Sequence, residues 1–178
     1  MQEIQGVLMD LGALNTSLVT KASSGKKYFT DLAADIAKIL DKIIHKFKGI
    51  ITLMDLFCIY NRARGTDPIS PQDLYSACVA LPKVTSDFEI YTFPSGVEAV
   101  RSKQFSNEEV VGQMQKLVER GGVDPDDLRS YTANEFAEEL GLSVFLVDEI
   151  LAIGVRSGAL CLDSSVEGEK YFANLFLK

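Results

Sequence analysis

Tryptophan is absent from the 178 residues and histidine occurs once, at His45. Any Ser/His/Asp chemistry must therefore run through His45, whose helical spacing between Ile44 and Phe47 is that of a packing or surface residue rather than a general base. Cysteine is scarce and odd in number. Cys58, Cys78 and Cys161 each sit in an apolar stretch with no second cysteine two to four residues away, so they read as reduced core thiols rather than a disulfide or zinc framework. No apolar run approaches the ~20 residues that cross a bilayer, and the opening Met-Gln-Glu-Ile-Gln lacks the basic and apolar stretches of a signal or transit peptide. The expected home is the cytoplasm. Gly-x-Ser-x-Gly, Walker and dinucleotide signatures are missing. Asp124, Asp126 and Asp127 surround Pro125 without the terminal glutamate of a calcium loop and read as a solvated turn. The sequence thus supports no catalytic residue, no cofactor and no metal ligand, and the chain is expected not to be an enzyme.

Basic charge is the other shortage, and it is uneven. The net charge is −7, yet up to Phe105 the chain carries 12 basic and 11 acidic residues, against 6 basic and 14 acidic beyond it. Affinity for nucleic acid or anionic lipid comes largely from Lys and Arg displacing counterions, so the second half is built to repel both. What the chain has in quantity is apolar residues, 47%, enough for a folded core.

Their spacing gives the organisation. Ile4, Leu8, Leu11 and Leu18, widened by Val7 and Leu14, form the stripe of one amphipathic helix, and Lys21 to Lys27 reads as a linker. A first helix is expected from Thr30-Asp31 to Gly49, a short second from the Thr52/Asp55 cap to Arg64-Gly65, and a third from Ser70-Pro71 to Leu81. Phe88 to Phe93 and Val97 to Val100 then read as a hairpin turning at Pro94-Ser95-Gly96. The same order recurs. A Ser106/Glu109 box opens a helix ending at Gly121-Gly122, a Thr132/Glu135 box opens a short one ending at Gly141, and Ser143 is expected to cap a third ending at Ser157-Gly158. Leu160 to Asp163 and Lys170 to Ala173 form the closing hairpin. From Thr30 to Ser106, Thr52 to Thr132 and Ser70 to Ser143 the offsets are 76, 80 and 73 residues, the mark of two copies of one module.

Three helices with a short second and a following hairpin are the winged-helix variant of helix-turn-helix. The fold class is therefore mainly α with small β-hairpins: a leading amphipathic helix and linker over 1–28, a winged helix over 29–105 and another over 106–178. Winged helices commonly read DNA with basic or amide side chains on the third helix. Here the first third helix offers Asp73 and Gln72, and the second carries Asp148 and Glu149 with Arg156 only at its end. Lys38, Lys42, Lys46 and Lys48 cluster on the first helix instead, as a solvated face opposite its apolar stripe. A module stripped of bases but rich in aromatics fits a protein-binding scaffold better than a transcriptional regulator.

Several strings carry a more specific resemblance. Gly49-Ile-Ile-Thr-Leu-Met-Asp-Leu56, Tyr60-Asn-Arg-Ala-Arg-Gly-Thr66, Ile69-Ser-Pro-Gln-Asp-Leu74, Gly141-Leu-Ser-Val144, Ser157-Gly-Ala-Leu-Cys161, Asp163-Ser-Ser-Val-Glu-Gly168 and Tyr171-Phe-Ala-Asn-Leu-Phe176 resemble the GLUE-domain-bearing subunit of the endosomal sorting complex ESCRT-II. The resemblance covers both modules and the leading helix, and nothing in these residues matches the GLUE domain. It implies a non-catalytic scaffold for sorting ubiquitinated membrane cargo into multivesicular bodies, cytoplasmic and peripheral on endosomes when assembled. The implied partners are the short two-winged-helix subunit, in two copies, and the other large subunit, in a Y-shaped heterotetramer. No nucleic acid is implied, and membrane and ubiquitin contacts are expected outside these residues. The first modules and leading helices would form the base, and the last module would hold the short subunit. Asp163 is the match to a family acid that accepts an arginine from that partner. Tyr171, Phe172 and Phe176 are the candidate aromatic anchors, although alternate residues of a small hairpin must also fill their own module's core. A winged-helix scaffold of an unrelated assembly, or a DNA-binding regulator, remain the alternatives.

Overall fold

The computed structural model describes residues 19–20, 25–65, 67–119 and 130–176. The leading stripe over 1–18, the Gly121-Gly122 helix stop and the Asp124–Asp127 turn lie outside the described residues. The chain divides between Gln104 and Phe105 into two compact units.

The first unit opens with α1 (Tyr28–Ile43), which starts two residues before the expected Thr30. Lys27 occupies its N-cap without a side-chain cap bond, so burial rather than capping sets the start: Tyr28, Leu32, Ile36, Ile39, Leu40 and Ile43 form the buried stripe. A 3-10 turn (Ile44–Phe47) follows, and the chain reverses through positive φ at Lys48 (55°) and Gly49 (95°). There it enters a strand that sequence reasoning missed, β1 (Ile50–Thr52). Thr52 ends that strand and caps α2 (Leu53–Arg64), its Oγ1 accepting from the Asp55 N–H at 3.0 Å. Ser70 caps α3 (Pro71–Ala80) in the same way, with Pro71 at the first position, where its missing N–H costs nothing. β2 (Phe88–Thr92) and β3 (Glu98–Ser102) complete an antiparallel sheet of order β1-β3-β2, with Val100 opposite both Ile51 and Ile90. One apolar cluster, from Leu32 and Ile36 through Leu56 and Tyr60 to Leu74, Cys78 and Val100, joins helices to sheet.

The second unit repeats the order: α4 (Asn107–Glu119), α5 (Ala133–Leu140), α6 (Val144–Arg156), β4 (Leu160–Ser165) and β5 (Gly168–Ala173). The Thr132/Glu135 capping box forms in full, the Glu135 N–H donating to Thr132 Oγ1 at 3.3 Å and the Thr132 N–H to Glu135 Oε2 at 2.7 Å. Gly141, at φ 66°, closes α5 in a left-handed conformation that a side chain would strain, which permits the tight turn into α6. Ser143 stands at the N-cap of α6, but its hydroxyl makes no cap bond and Oγ is buried without a partner. The expected cap is therefore corrected: position alone does not make one. Gly154 lets α6 press on β4, since a Cβ there would lie 3.0 Å from Leu160 Cδ1. Tyr131 exchanges two backbone hydrogen bonds with Tyr171, 3.0 and 2.8 Å, on the edge of β5 away from β4. It thus holds the position that β1 holds in the first unit.

Each unit is a winged helix: three helices, a strand position before the second helix, and a hairpin wing. Of the three cysteines expected in the core only Cys78 is buried there, whereas Cys161 is half-buried on the hairpin and Cys58 is exposed.

Candidate functional site

The hairpin of the second unit carries three of the four residues singled out from sequence, and Phe176 follows it. Side chains alternate across a strand, and β4 pairs with β5 in the register Leu160↔Ala173, Cys161↔Phe172, Leu162↔Tyr171 and Asp163↔Lys170. Leu160, Tyr171 and Ala173 are buried, which fixes that face as inward. Asp163 and Phe172 therefore share the outer face, with Cys161 and Lys170 beside them. Asp163 is exposed and Phe172 half-buried. Phe176, past the strand end, is 90% exposed. Tyr171 goes the other way. At 6% exposure it packs edge-on to Phe136, which stacks on Tyr131, and its hydroxyl donates to Glu169 Oε2 at 3.2 Å. Burial, and then the neighbouring Glu169 carboxylate, push the Tyr171 phenol up to about 12. Three of the four candidates thus face solvent near one another in sequence, and Tyr171 serves its own module's core.

In the first unit sequence reasoning named no site, yet an open groove of about 500 Å³ runs between α2, α3 and β3. Leu53, Met54, Phe57, Leu74 and Tyr75 line it, and Glu98 is its one charged member. Met54 is 68% exposed, and Val79 continues the exposed row Gln72, Tyr75, Val79 along α3. The signal was present as apolar residues at helical spacing, but their phase relative to the core residues Leu74, Ala77 and Cys78 needs the fold to resolve. The exposed Lys38, Lys42, Lys46 and Lys48 lie on α1 and the turn after it, not on α3.

Further along α2 lies a buried polar relay. Tyr60 donates from its hydroxyl to Asp35 Oδ2 at 2.8 Å, and Arg64 donates to the Tyr60 oxygen at 3.3 Å. Arg64 also pairs with Asp67 at 2.8 Å and donates to the Val19 carbonyl at 3.1 Å. Burial first, then Asp35, raises the Tyr60 pKa far above its ordinary value, which keeps the phenol protonated as the donor. The Arg64 side chain is only 4% exposed, and the fork of the guanidinium ties the approach of the chain at Val19 to the end of α2.

Among the described residues, no group of three His, Cys, Asp or Glu is arranged to hold a metal ion. No described helix is long and apolar enough to cross a membrane.

Fold and surfaces together define a tandem winged-helix protein whose third helices expose mainly apolar side chains, with Gln72 on the first, Asp148 on the second and Arg156 the one exposed base, at the end of the second. Residues 2–164 match the EAP30/Vps36 family model, and the chain belongs to that family. It is 34% identical over 170 residues to human vacuolar protein-sorting-associated protein 36, a match covering 96% of this chain and 42% of that one. The Dictyostelium discoideum protein of the same name is 33% identical over 187 residues, covering 99% of this chain and 29% of the relative. The chain thus spans less than half the length of these curated relatives. A chain in the solved structure of the ESCRT-II endosomal trafficking complex superposes with a TM-score of 0.66 at 20% identity, covering 86% of this chain and 95% of that one.

Proposed function

We propose that this chain is a non-catalytic scaffold region of ESCRT-II, assembling with the other winged-helix subunits in the sorting of ubiquitinated cargo at endosomes. Family membership supports the assembly. The observation that carries the scaffold reading is the outer face of the two third helices. Gln72, Tyr75 and Val79 on α3, and Val144, Phe145 and Asp148 on α6, occupy positions where a DNA reader needs Arg, Lys or several amides. Apolar residues rimmed by polar ones suit a protein partner instead.

The two units divide the work. The groove between α2 and α3 is the contact for the other large subunit, and the outer hairpin face of Asp163 and Phe172, with Phe176 beyond it, is the contact for the short subunit. Asp163 accepts a partner arginine there, and the adjoining aromatics exclude water from the pair. Binding of the short subunit to the full chain, followed by calorimetry, tests this. Asp163→Lys is expected to weaken it by about 2–5 kcal/mol, and unchanged affinity would remove the residue from the interface. Tyr75→Glu is expected to release the other large subunit while leaving the short one bound.

A further inference from the structure

The α6 face of the second unit combines three features that the outer hairpin face does not explain. Its first turn exposes apolar surface, with Val144 at 40% and Phe145 at 69%. One turn on, Asp148 shares the Phe145 side of the helix. Glu149 and, from the wing, Glu169 lie close enough to act on it. Partial burial raises the Asp148 pKa first, and the fields of Glu169 and Glu149 add to the rise. Leu162, 43% exposed, lies on the inward-facing side of the wing with Glu169.

No base answers these acids within α6, β4 or β5. Arg156 stands at the far end of α6, where its Nε donates to the Ala152 carbonyl at 3.1 Å. Lys170 lies on the opposite face of the hairpin, 3.8 Å from Glu167. Two acceptors are also left without donors: Glu149 Oε2 and Ser143 Oγ are buried with no hydrogen-bond partner. Both atoms are enclosed, so they are an internal cost of the α6 packing and not contacts for a docked segment.

We propose that the third helix and wing of the second unit form a docking surface for a basic protein segment, one that lays an apolar residue on Phe145 and offers Lys or Arg to Asp148, Glu149 and Glu169. The acids repel nucleic acid phosphates and anionic lipid headgroups, which selects protein as the occupant. The surface is separate from the outer hairpin face of Asp163 and Phe172, and the inference stands on the charge pattern of this chain whether or not the ESCRT-II assembly forms through that face.

The test uses the full chain and two short synthetic peptides of one amphipathic pattern, Leu with Lys and Leu with Glu, followed by amide chemical shifts and calorimetry at low and physiological salt. The Lys peptide is expected to saturate shifts at Val144 to Glu149 and at Glu169, with affinity falling as salt rises. Phe145→Ser, and separately the pair Asp148→Asn with Glu169→Gln, should each weaken it about tenfold or more, with the circular dichroism of the chain unchanged. The Glu peptide should not bind. Binding of the Lys peptide that ignores these substitutions, its absence at both salts, or tighter binding of duplex DNA or phosphatidylserine vesicles to the same residues would overturn the proposal.

Discussion

The two units repeat one order of elements and handle charge in opposite ways. The first buries it: Asp35, Tyr60 and Arg64 form a relay closed by Asp67 and the Val19 carbonyl, so each ion meets a partner within the unit. The second leaves Asp148, Glu149 and Glu169 close together on α6 and the wing, with Arg156 and Lys170 turned to other contacts. An internally satisfied network fixes geometry, whereas unanswered charge at a surface is a cost to the isolated unit that a partner can relieve. The first unit accordingly offers an apolar groove with Glu98 as its one charge, and the second offers acids beside aromatics.

The largest effect is expected where the contrast is sharpest. Arg64→Leu removes the guanidinium while leaving Asp67, the Val19 carbonyl and the Tyr60 oxygen without its donors. It should destabilise the first unit by about 3 kcal/mol in urea unfolding and speed proteolysis next to Val19. Hydrogen exchange should show the second unit unaltered. An equal loss in both units would mean that they do not hold their charge independently.

A smaller effect separates a true cap from an apparent one within the second unit. Thr132→Ala removes the hydroxyl that accepts from the Glu135 N–H, while the backbone N–H at 132 can still donate to Glu135, and should cost about 1 kcal/mol. Ser143→Ala removes a hydroxyl that caps nothing, so its stability should equal or slightly exceed that of the parent. Equal losses from the two substitutions would restore Ser143 as a cap.

The smallest effect has the opposite sign. Asp148 ionises less readily in the folded unit than in the unfolded chain, so its charge subtracts stability above its folded pKa, and that loss vanishes on acidification below the ordinary carboxylate range. Asp148→Asn should therefore stabilise the second unit by a few tenths of a kcal/mol at neutral pH, a gain that disappears near pH ~4. At the other extreme, the Tyr171 phenol is held up to about 12. The unfolded chain loses that proton near ~10, so the second unit should lose stability from there to about 12, a loss that Tyr171→Phe abolishes.

Much of this architecture was legible in the residues, because capping and turn chemistry are local. Thr52, Ser70 and Thr132 are caps where the sequence places them, and Gly141 ends α5 as its position implies. Structure that depends on contacts distant in sequence was not legible. Ile50 to Thr52 reads as the approach to α2, and only its pairing with β3 makes it a strand. The Asp35–Tyr60 bond spans 25 residues, so Arg64 read as the end of a helix rather than a buried tie. On the last hairpin, residue type suggested three aromatics alike, but strand alternation sends Phe172 outward and Tyr171 into the core. The phase of that alternation is set by Leu160 packing beneath α6, which a string of residues does not display.

The measurement that bears most directly on the scaffold reading is sedimentation of the purified chain with the short and the other large ESCRT-II subunits, alone and together. The account predicts one complex containing all three, which sheds the short subunit with Asp163→Lys and the other large subunit with Tyr75→Glu. Independent sedimentation of the three proteins would contradict it.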